Sequence, residues 1–110
     1  MPEYCLENEL KLENTVNLML SNDFRKRGIG EYLQIMIRTN QNREFIRKWK
    51  ANELTFIPCN TLEQSEMQLK AMELYQYTLK ERLKTVLNVS GDEDFETVVL
   101  TEYFKSLKEI

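Results

Sequence analysis

Residues 61–86 decide the fold of this chain, and their sequence is TLEQSEMQLKAMELYQYTLKERLKTV. Mostly apolar or small side chains recur there at spacings of three and four over four heptads, which is typical of a helix that packs lengthwise against another helix. The members of this seam are Leu62, Ser65, Leu69, Met72, Gln76, Leu79, Leu83 and Val86. One of two overlapping capping boxes, Asn60 with Glu63 or Thr61 with Gln64, predicts the start of the helix.

A second helix with the same repeat precedes this one. It is predicted over about Phe24 to Ala51, with Asn22 or Asp23 as its N-cap. Its seam comprises Tyr32, Ile35, Thr39, Asn42, Ile46 and Trp49. A glycine weakens a helix interior by about 1 kcal/mol relative to alanine. Because Gly28 and Gly30 fall in this segment, a start near Gly30 and a kink there are the alternatives to one straight helix.

Two seams of similar length, joined by a short connection, predict an antiparallel helical hairpin. The connection covers residues 52–60, and its proline disfavours helix at the residue before it. In this hairpin Trp49 lies near Leu62 at the connected end, and Tyr32 lies near Leu79 towards the open end.

Shorter amphipathic segments flank the hairpin. A helix is predicted over about Glu3 to Ser21, and another follows a break at Asn88–Gly91. The first has the stripe Leu12, Val16, Met19 and Leu20; the second has Asp92, Glu93 and Asp94 at its start and the stripe Phe95, Val99, Tyr103, Leu107 and Ile110. The expected fold is all-α: one domain over 1–110, with an N-terminal helix in 1–22, a long antiparallel hairpin in 23–88 and a short C-terminal helix in 92–110.

A separate apolar group lies on another face of the second helix. Its members are Ile29, Leu33, Met36 and Ile37. A different helix or a second subunit has to cover this face, since one hairpin partner covers only the seam. We therefore expect a homo-oligomer, a dimer or a tetramer.

Composition excludes several classes of protein. Apolar runs are only a few residues long, whereas a membrane-spanning helix needs about 20, and no basic and apolar leader opens the chain. The sequence has no histidine, which excludes Ser–His and Cys–His nucleophile pairs and zinc fingers. Gly28-Ile29-Gly30 lacks the rest of a phosphate loop. We expect a cytoplasmic protein that is not an enzyme and has no cofactor or metal, with Cys5 and Cys59 as free thiols, although one disulfide between them stays open.

Positive charge is concentrated on the second helix. Residues 25–50 hold eight of the 15 lysines and arginines in a chain of net charge −3. Arg43, Arg47 and Lys50 form one row, with Trp49 beside it as a stacking surface, so these four are candidates for a small-anion site. Arg47 is expected to keep free donors. The net charge and the acidic terminal segments argue against duplex nucleic acid as the partner.

A structural interpretation of the same residues stays open. Charged residues that flank a seam usually pair with acids on the facing helix, here Glu63, Glu66, Glu73 and Glu81. Aromatic residues such as Phe45, Trp49 and Phe56 more often belong to the hairpin core than to a ligand-stacking surface.

Residues 27–82 resemble a family of small helical-hairpin proteins of tailed phages, including crAssphage relatives. The matching residues are Arg27, Glu31-Tyr32, Gln34, Phe45-Ile46, Trp49, Leu54-Thr55-Phe56, Pro58-Cys59, Leu62, Gln68, Ala71-Met72, Tyr75, Leu79 and Arg82. Asn60 departs from the pattern, where the family has a second proline, and residues 1–22 and the tail after Asn88 extend beyond it. Proteins of this kind are similar to viral sponges of the anti-CBASS type, which sequester cyclic oligonucleotide immune signals.

The resemblance implies a phage anti-defence protein that acts in the host cytoplasm. It would bind a cyclic di- or trinucleotide in a pocket between subunits without cleaving it. The resemblance adds Arg27 and Arg82 to the candidate ligand residues. The alternative function is a protein-binding inhibitor or adaptor that acts on a host defence protein through exposed helical faces.

Overall fold

The computed structural model describes residues 10–108, and helices make up most of them. A 3₁₀ turn over Leu12–Thr15 leads into the short helix α1 (Val16–Met19). The hairpin helices are α2 (Phe24–Lys50) and α3 (Leu62–Leu87), and α4 spans Asp92–Leu107. The described part of the chain has no strand, so the all-α prediction is confirmed.

Contacts along α2 and α3 confirm the antiparallel hairpin. The Lys50 ammonium, at the end of α2, lies 3.6 Å from the Glu66 carboxylate near the start of α3. Towards the other end, Glu31 of α2 lies 3.6 Å from the Arg82 guanidinium. All six predicted seam residues of α2 are buried or half-buried.

Local side-chain chemistry fixes the helix ends. The Asp23 carboxylate accepts the backbone N–H two residues further on and caps α2. Thr61 and Gln64 form both bonds of the capping box of α3, so this is the correct one of the two predicted boxes. Both hairpin helices terminate at an asparagine in the left-handed conformation, Asn52 with φ 59° and Asn88 with φ 58°. Backbone N–H groups of these turns bond back to the last carbonyls of each helix.

The predicted seam of α3 needs one correction at its end. Val86 is 36% exposed, whereas Leu87 is half-buried and packs on the core. A strict seven-residue repeat drifts by about 20° per heptad relative to a straight helix. After four heptads this drift turns Val86 outward and brings its neighbour inward.

The N-terminal segment is the least well predicted. Of the expected helix, Glu3–Glu9 lies outside the described residues, and the rest is one 3₁₀ turn and one α-helical turn. Half of the predicted stripe is wrong, because Val16 and Leu20 are 48% and 76% exposed and Leu18, outside the stripe, is 2% exposed. The other two members, Leu12 and Met19, are half-buried as predicted. A 3₁₀ turn advances three residues per turn instead of 3.6, so it rotates every later side chain relative to an α-helical pattern.

The core lies at the open end of the hairpin, where α1 and α4 pack on α2. The buried apolar residues there are Leu10, Leu18, Ile29, Tyr32, Leu33, Ile37, Leu79, Leu83, Phe95, Val99, Leu100 and Tyr103. The Tyr32 and Phe95 rings meet edge to face at 5.0 Å. Tyr32 and Leu79 share this cluster, as the hairpin register predicts. Ile110, the last residue of the predicted C-terminal stripe, lies outside the described residues.

The second apolar face of α2 is covered by the chain itself. Ile29, Leu33 and Ile37 are buried and Met36 is half-buried in the same cluster. The different helix is therefore the correct alternative for this face, and the argument for an oligomer drawn from it does not hold.

Gly30 explains how α1 can approach α2. A Cβ atom at this position would lie 3.1 Å from the Leu18 Cβ and 3.0 Å from the Met19 Sδ. The helix nevertheless begins at Phe24 and continues through the glycine. The missing side chain thus permits close packing of the two helices without forming a helix boundary.

Candidate functional site

The basic row of α2 is exposed, and its members have acidic partners. The Arg43 guanidinium donates to the Asn40 amide oxygen at 2.7 Å and lies 3.6 Å from Glu73 of α3. Lys50 pairs with Glu66 of α3, as described above. Two of the four acids named by the structural interpretation, Glu66 and Glu73, therefore do face this row.

Arg47 ties the connection to α2. Its Nε and Nη2 atoms donate to the Glu44 carboxylate at 2.7–3.0 Å, and Nη2 also donates to Glu53 at 3.0 Å. These bonds raise the pKa of Arg47 above its usual range and lower the pKa of the Glu44 carboxyl. Glu53 lies in the turn after α2, and that turn folds back toward Arg47. Glu53, six positions after Arg47, therefore accepts from the guanidinium, and the expectation that Arg47 keeps free donors at this position is wrong.

Three aromatic rings pack together at the connected end of the hairpin. Trp49 is half-buried and meets Phe45 edge-on at 5.5 Å. Phe45 in turn stacks on Phe56 of the connection, with ring centroids 6.1 Å apart and planes inclined by 12°. Phe56 is 58% exposed. The stack therefore places one aromatic face in solvent on an ordered support.

A cleft of about 610 Å³ opens between α2 and the connection. Its apolar lining residues are Leu10, Met36, Ile37, Phe45, Leu54 and Phe56, and its polar lining residues, which we call the rim, are Asn40, Gln41, Glu44, Lys48, Glu53 and Thr55. This volume lies within the range of small-molecule sites, roughly 300–1,000 Å³. We call this concavity the tip cleft. The sequence analysis did not find it, because it forms only when residues 53–56 fold back beside α2.

Lys48 is the cation of the tip cleft, and among residues 10–108 its ammonium forms no ion pair, although its charge helps to lower the pKa of the Glu44 carboxyl one turn earlier. Its neighbour in the rim, Glu44, is bound to Arg47. Arg38 has no ion pair in the described chain either, and it lies two turns before Phe45 on the same side of α2. These two cations were part of the basic helix in the sequence analysis but were not among the candidate site residues.

Arg27 and Arg82 lie far from the other candidates. Arg27 donates to the Ser21 carbonyl oxygen at 2.8 Å near the start of α2. Arg82 faces Glu31, which also accepts a 2.5 Å hydrogen bond from the Tyr75 hydroxyl. Arg27 and Arg47 are separated by about 30 Å along the helix, given its rise of 1.5 Å per residue. The structure thus divides the six candidates between the two ends of the hairpin.

Three further observations bear on function. Within residues 10–108, no group of acidic or cysteine side chains is arranged to hold a metal ion. No helix in this range has the length and apolar character needed to cross a membrane. Cys59 is an exposed free thiol, whereas Cys5 lies outside the described residues.

Comparison with known proteins gives one positive result. The family model described as Sequestin matches residues 22–85, which covers the whole of α2, the connection and most of α3. No curated protein matches the chain significantly. No solved structure matches it significantly either.

Proposed function

Because the chain belongs to the Sequestin family, we propose that it is a binding protein that sequesters a cyclic di- or trinucleotide without cleaving it. The observation that supports this proposal best is the tip cleft, which the matched segment forms almost entirely. The biological role in the proposal is that of a phage anti-defence protein in the host cytoplasm. It would remove an immune signal of the anti-CBASS kind.

The lining of the tip cleft suits a nucleobase. The exposed face of Phe56 can stack a base, and its own ring is supported from behind by Phe45. The amides of Asn40 and Gln41 offer both donors and acceptors to the base edge. In a cyclic oligonucleotide the bases project away from the sugar–phosphate ring, so their faces and edges are accessible to such groups.

Lys48 is the first phosphate contact in this proposal. Its ammonium has no ion pair in the described chain that a phosphate would have to replace. Arg43, Arg47 and Lys50, in contrast, would have to leave carboxylates in order to bind a phosphate. Their role is therefore to neutralise the acids around the site. In particular, Arg47 offsets part of the negative charge of Glu44 and Glu53 at the rim.

The acids of the rim support binding in preference to catalysis. General acid–base catalysis at neutral pH needs a group with a pKa near 7. The hydrogen bonds from Arg47 lower the pKa of the Glu44 carboxyl instead, so this group stays ionised.

A melting screen against cyclic di- and trinucleotides tests the proposal. A ligand present at 100 times its dissociation constant adds about 2.7 kcal/mol to the free energy of unfolding. Chromatography of the ligand after denaturation of the complex then shows whether it is returned uncleaved. No shift with any cyclic nucleotide, or recovery of a linear product, would contradict the proposal.

Two matched pairs of variants assign the binding to the tip cleft. Lys48→Gln should weaken binding, whereas Lys26→Gln removes the same charge from the far end of the same helix and should not. Phe56→Ala should lose a stacking surface and weaken binding, whereas Ile57→Ala should not, because Ile57 is 92% exposed and does not line the cleft. Equal effects within either pair would place the ligand elsewhere.

A protein-binding inhibitor or adaptor is the second candidate. It is favoured by three exposed large apolar side chains close in sequence, Val16, Leu20 and Phe24, of which Leu20 and Phe24 are 76% and 61% exposed. If no nucleotide binds, and if Leu20→Ser abolishes inhibition of a purified host defence protein, this function replaces the first. A homo-oligomer remains part of either proposal, although the surface that the sequence assigned to it is buried.

A further inference from the structure

Three polar residues of the rim lie on successive turns of α2. Asn40, Glu44 and Lys48 all line the tip cleft, and each follows the previous one by four residues. This spacing brings them onto one side of the helix, about 6 Å apart along its axis. Lys48 contacts a phosphate in the proposed function. The two residues before it are then the ones that can meet the base of the same nucleotide.

Arg43 determines what Asn40 can offer to a ligand. The Nη1 atom of Arg43 donates to the Oδ1 atom of Asn40 at 2.7 Å. A guanidinium has donors only, so the amide oxygen must be the atom that faces it. The Nδ2 group is thereby turned away from the arginine. Asn40 therefore offers N–H donors to the tip cleft.

Arg47 orients Glu44 in the same way. Its Nε and Nη2 atoms hold the Glu44 carboxylate at 2.7–3.0 Å, and these bonds lower the pKa of the carboxyl. An ionised carboxylate only accepts hydrogen bonds, and it has about four acceptor sites. Two N–H groups come from Arg47, so sites for about two more remain. The Glu44 side chain is 52% exposed, and a ligand can reach these sites.

A donor followed by a pair of acceptor sites is complementary to one edge of guanine. On the Watson–Crick edge of this base, the O6 acceptor is followed by the N1–H and N2–H donors. We infer that the base bound in the tip cleft is guanine, so that the ligand is a guanine-containing cyclic nucleotide, an inference that rests on the proposed function. Asn40 donates to O6, and Glu44 accepts from N1–H and N2–H together.

The other bases form fewer hydrogen bonds with this pair. Adenine and cytosine each have one amino group beside a ring nitrogen that accepts, and uracil has one N–H between two carbonyl oxygens. Each can give Glu44 one N–H group, whereas guanine gives it two. A hydrogen bond to a charged group contributes enough to change affinity about tenfold or more. The preference for guanine should therefore be of at least this size.

The position of the two residues supports selectivity. Both lie on α2 and are held by an arginine three residues later, so they are ordered before a ligand binds. Side chains that are already ordered lose less conformational freedom on binding. Stacking on Phe56 accepts any base, because every base has an aromatic face. Selectivity thus comes from α2, and Arg43 and Arg47 act as positioning residues.

Calorimetric titration with three cyclic dinucleotides tests the inference. Cyclic di-IMP retains O6 and N1–H of cyclic di-GMP but lacks the 2-amino group, and cyclic di-AMP lacks both O6 and N1–H. Cyclic di-GMP should bind at least about tenfold more tightly than either of the others. Equal affinities for cyclic di-GMP and cyclic di-IMP would overturn the inference.

Three variants assign the preference to individual residues. Glu44→Gln should bring the ratio of the affinities for cyclic di-GMP and cyclic di-IMP close to one, because the charged acceptor of the 2-amino group is lost. Asn40→Asp presents an acceptor to O6, so it should weaken both ligands about tenfold and leave their ratio unchanged.

Glu63→Gln is the control for Glu44→Gln. It removes the same charge from an exposed position in the first turn of α3 that does not line the tip cleft, and it should keep the affinities and the ratio of the parent. A ratio that survives Glu44→Gln in a variant of native helicity would overturn the inference. So would an unchanged affinity of Asn40→Asp for cyclic di-GMP.

The same titrations separate this inference from the proposed function. Equal binding of all three cyclic dinucleotides would contradict the recognition of guanine and leave sequestration intact. If no cyclic nucleotide binds but 5′-GMP binds more tightly than 5′-IMP, the guanine site is retained and the cyclic ligand is contradicted. The absence of binding by all of these compounds would contradict both.

Discussion

The two ends of the hairpin use the same pair of helices for different purposes. At the open end, α2 is covered by α1 and α4 as well as α3, and residues such as Leu33 and Phe95 are 0% and 1% exposed. At the connected end, the helix of the described chain that lies beside α2 is α3, and the connection and Leu10 line the cleft next to it. There the contacts are exposed ion pairs and the tip cleft. Stability therefore comes from one end, and a concave surface is left available at the other.

The difference follows from where apolar side chains occur on α2. Ile29, Leu33 and Ile37 give the open end a second apolar face in addition to the seam. Beyond Ile37 the same side of the helix continues with Gln41, Glu44 and Lys48, which no further helix within residues 10–108 covers. A second layer of helices can pack only where the second face exists.

The largest expected effect is at the open end. Phe95→Ala removes a ring that is 1% exposed and packs edge to face on Tyr32 at 5.0 Å. We expect a loss of about 3–5 kcal/mol in the free energy of unfolding, measured by urea denaturation. A loss below about 1 kcal/mol would mean that α4 does not contribute to the core as described.

Within α3, the two ends can be compared directly. Leu79→Ala, at a site 5% exposed in the core, should cost about 2–5 kcal/mol. Leu62→Ala deletes the same atoms at a half-buried seam position near the connection and should cost less than half as much. Equal losses would remove the distinction between the two ends.

The hairpin could be predicted from the sequence, but the tip cleft could not. Seam periodicity, the Thr61 capping box and the asparagines after each helix are local signals, and they predict α2, α3 and their pairing. The tip cleft depends on Glu53 returning to Arg47 and on Phe56 stacking against Phe45. These contacts join residues in an irregular connection to a helix, and no periodicity encodes them.

The candidate residues illustrate the same limit. The row Arg43, Arg47 and Lys50 follows from helical spacing, and all three residues are exposed on α2. Which cation has an acidic partner depends on the facing helix and on the connection. For that reason Lys48 could not be distinguished from its neighbours by sequence alone.

At the connected end, charge should control ligand affinity more than stability. Arg47→Ala should leave the melting temperature nearly unchanged, since its ion pairs are half exposed, but should weaken nucleotide binding roughly threefold to tenfold by uncovering Glu44 and Glu53. Glu53→Gln should have the opposite effect and tighten binding, because it removes a negative charge from the rim. Calorimetric titration measures both. Tighter binding by Arg47→Ala would contradict its role in neutralising the acids of the rim. A marked loss of stability would indicate that Arg47 mainly holds the hairpin together.

The smallest expected effect concerns an ion-pair cluster at the open end, where the exposed Asp92 of α4 binds Lys84 and also lies 3.2 Å from Lys80. The bond from Lys84, together with Lys80, lowers the pKa of the Asp92 carboxyl below its usual range. A group whose pKa is lowered by folding stabilises the protein above its unfolded pKa, and this contribution is lost as the pH falls through the folded value. The parent should therefore exceed Asp92→Asn in stability by a small, constant margin between about pH 5 and 7, and the margin should vanish as the pH falls below about 4.

Asp94→Asn is the control, because Asp94 shares the first turn of α4 but has no ion pair within the described chain. Urea midpoints at several pH values measure the difference, and a margin that persisted at about pH 2 would show that Asp92 acts through packing and not through its charge.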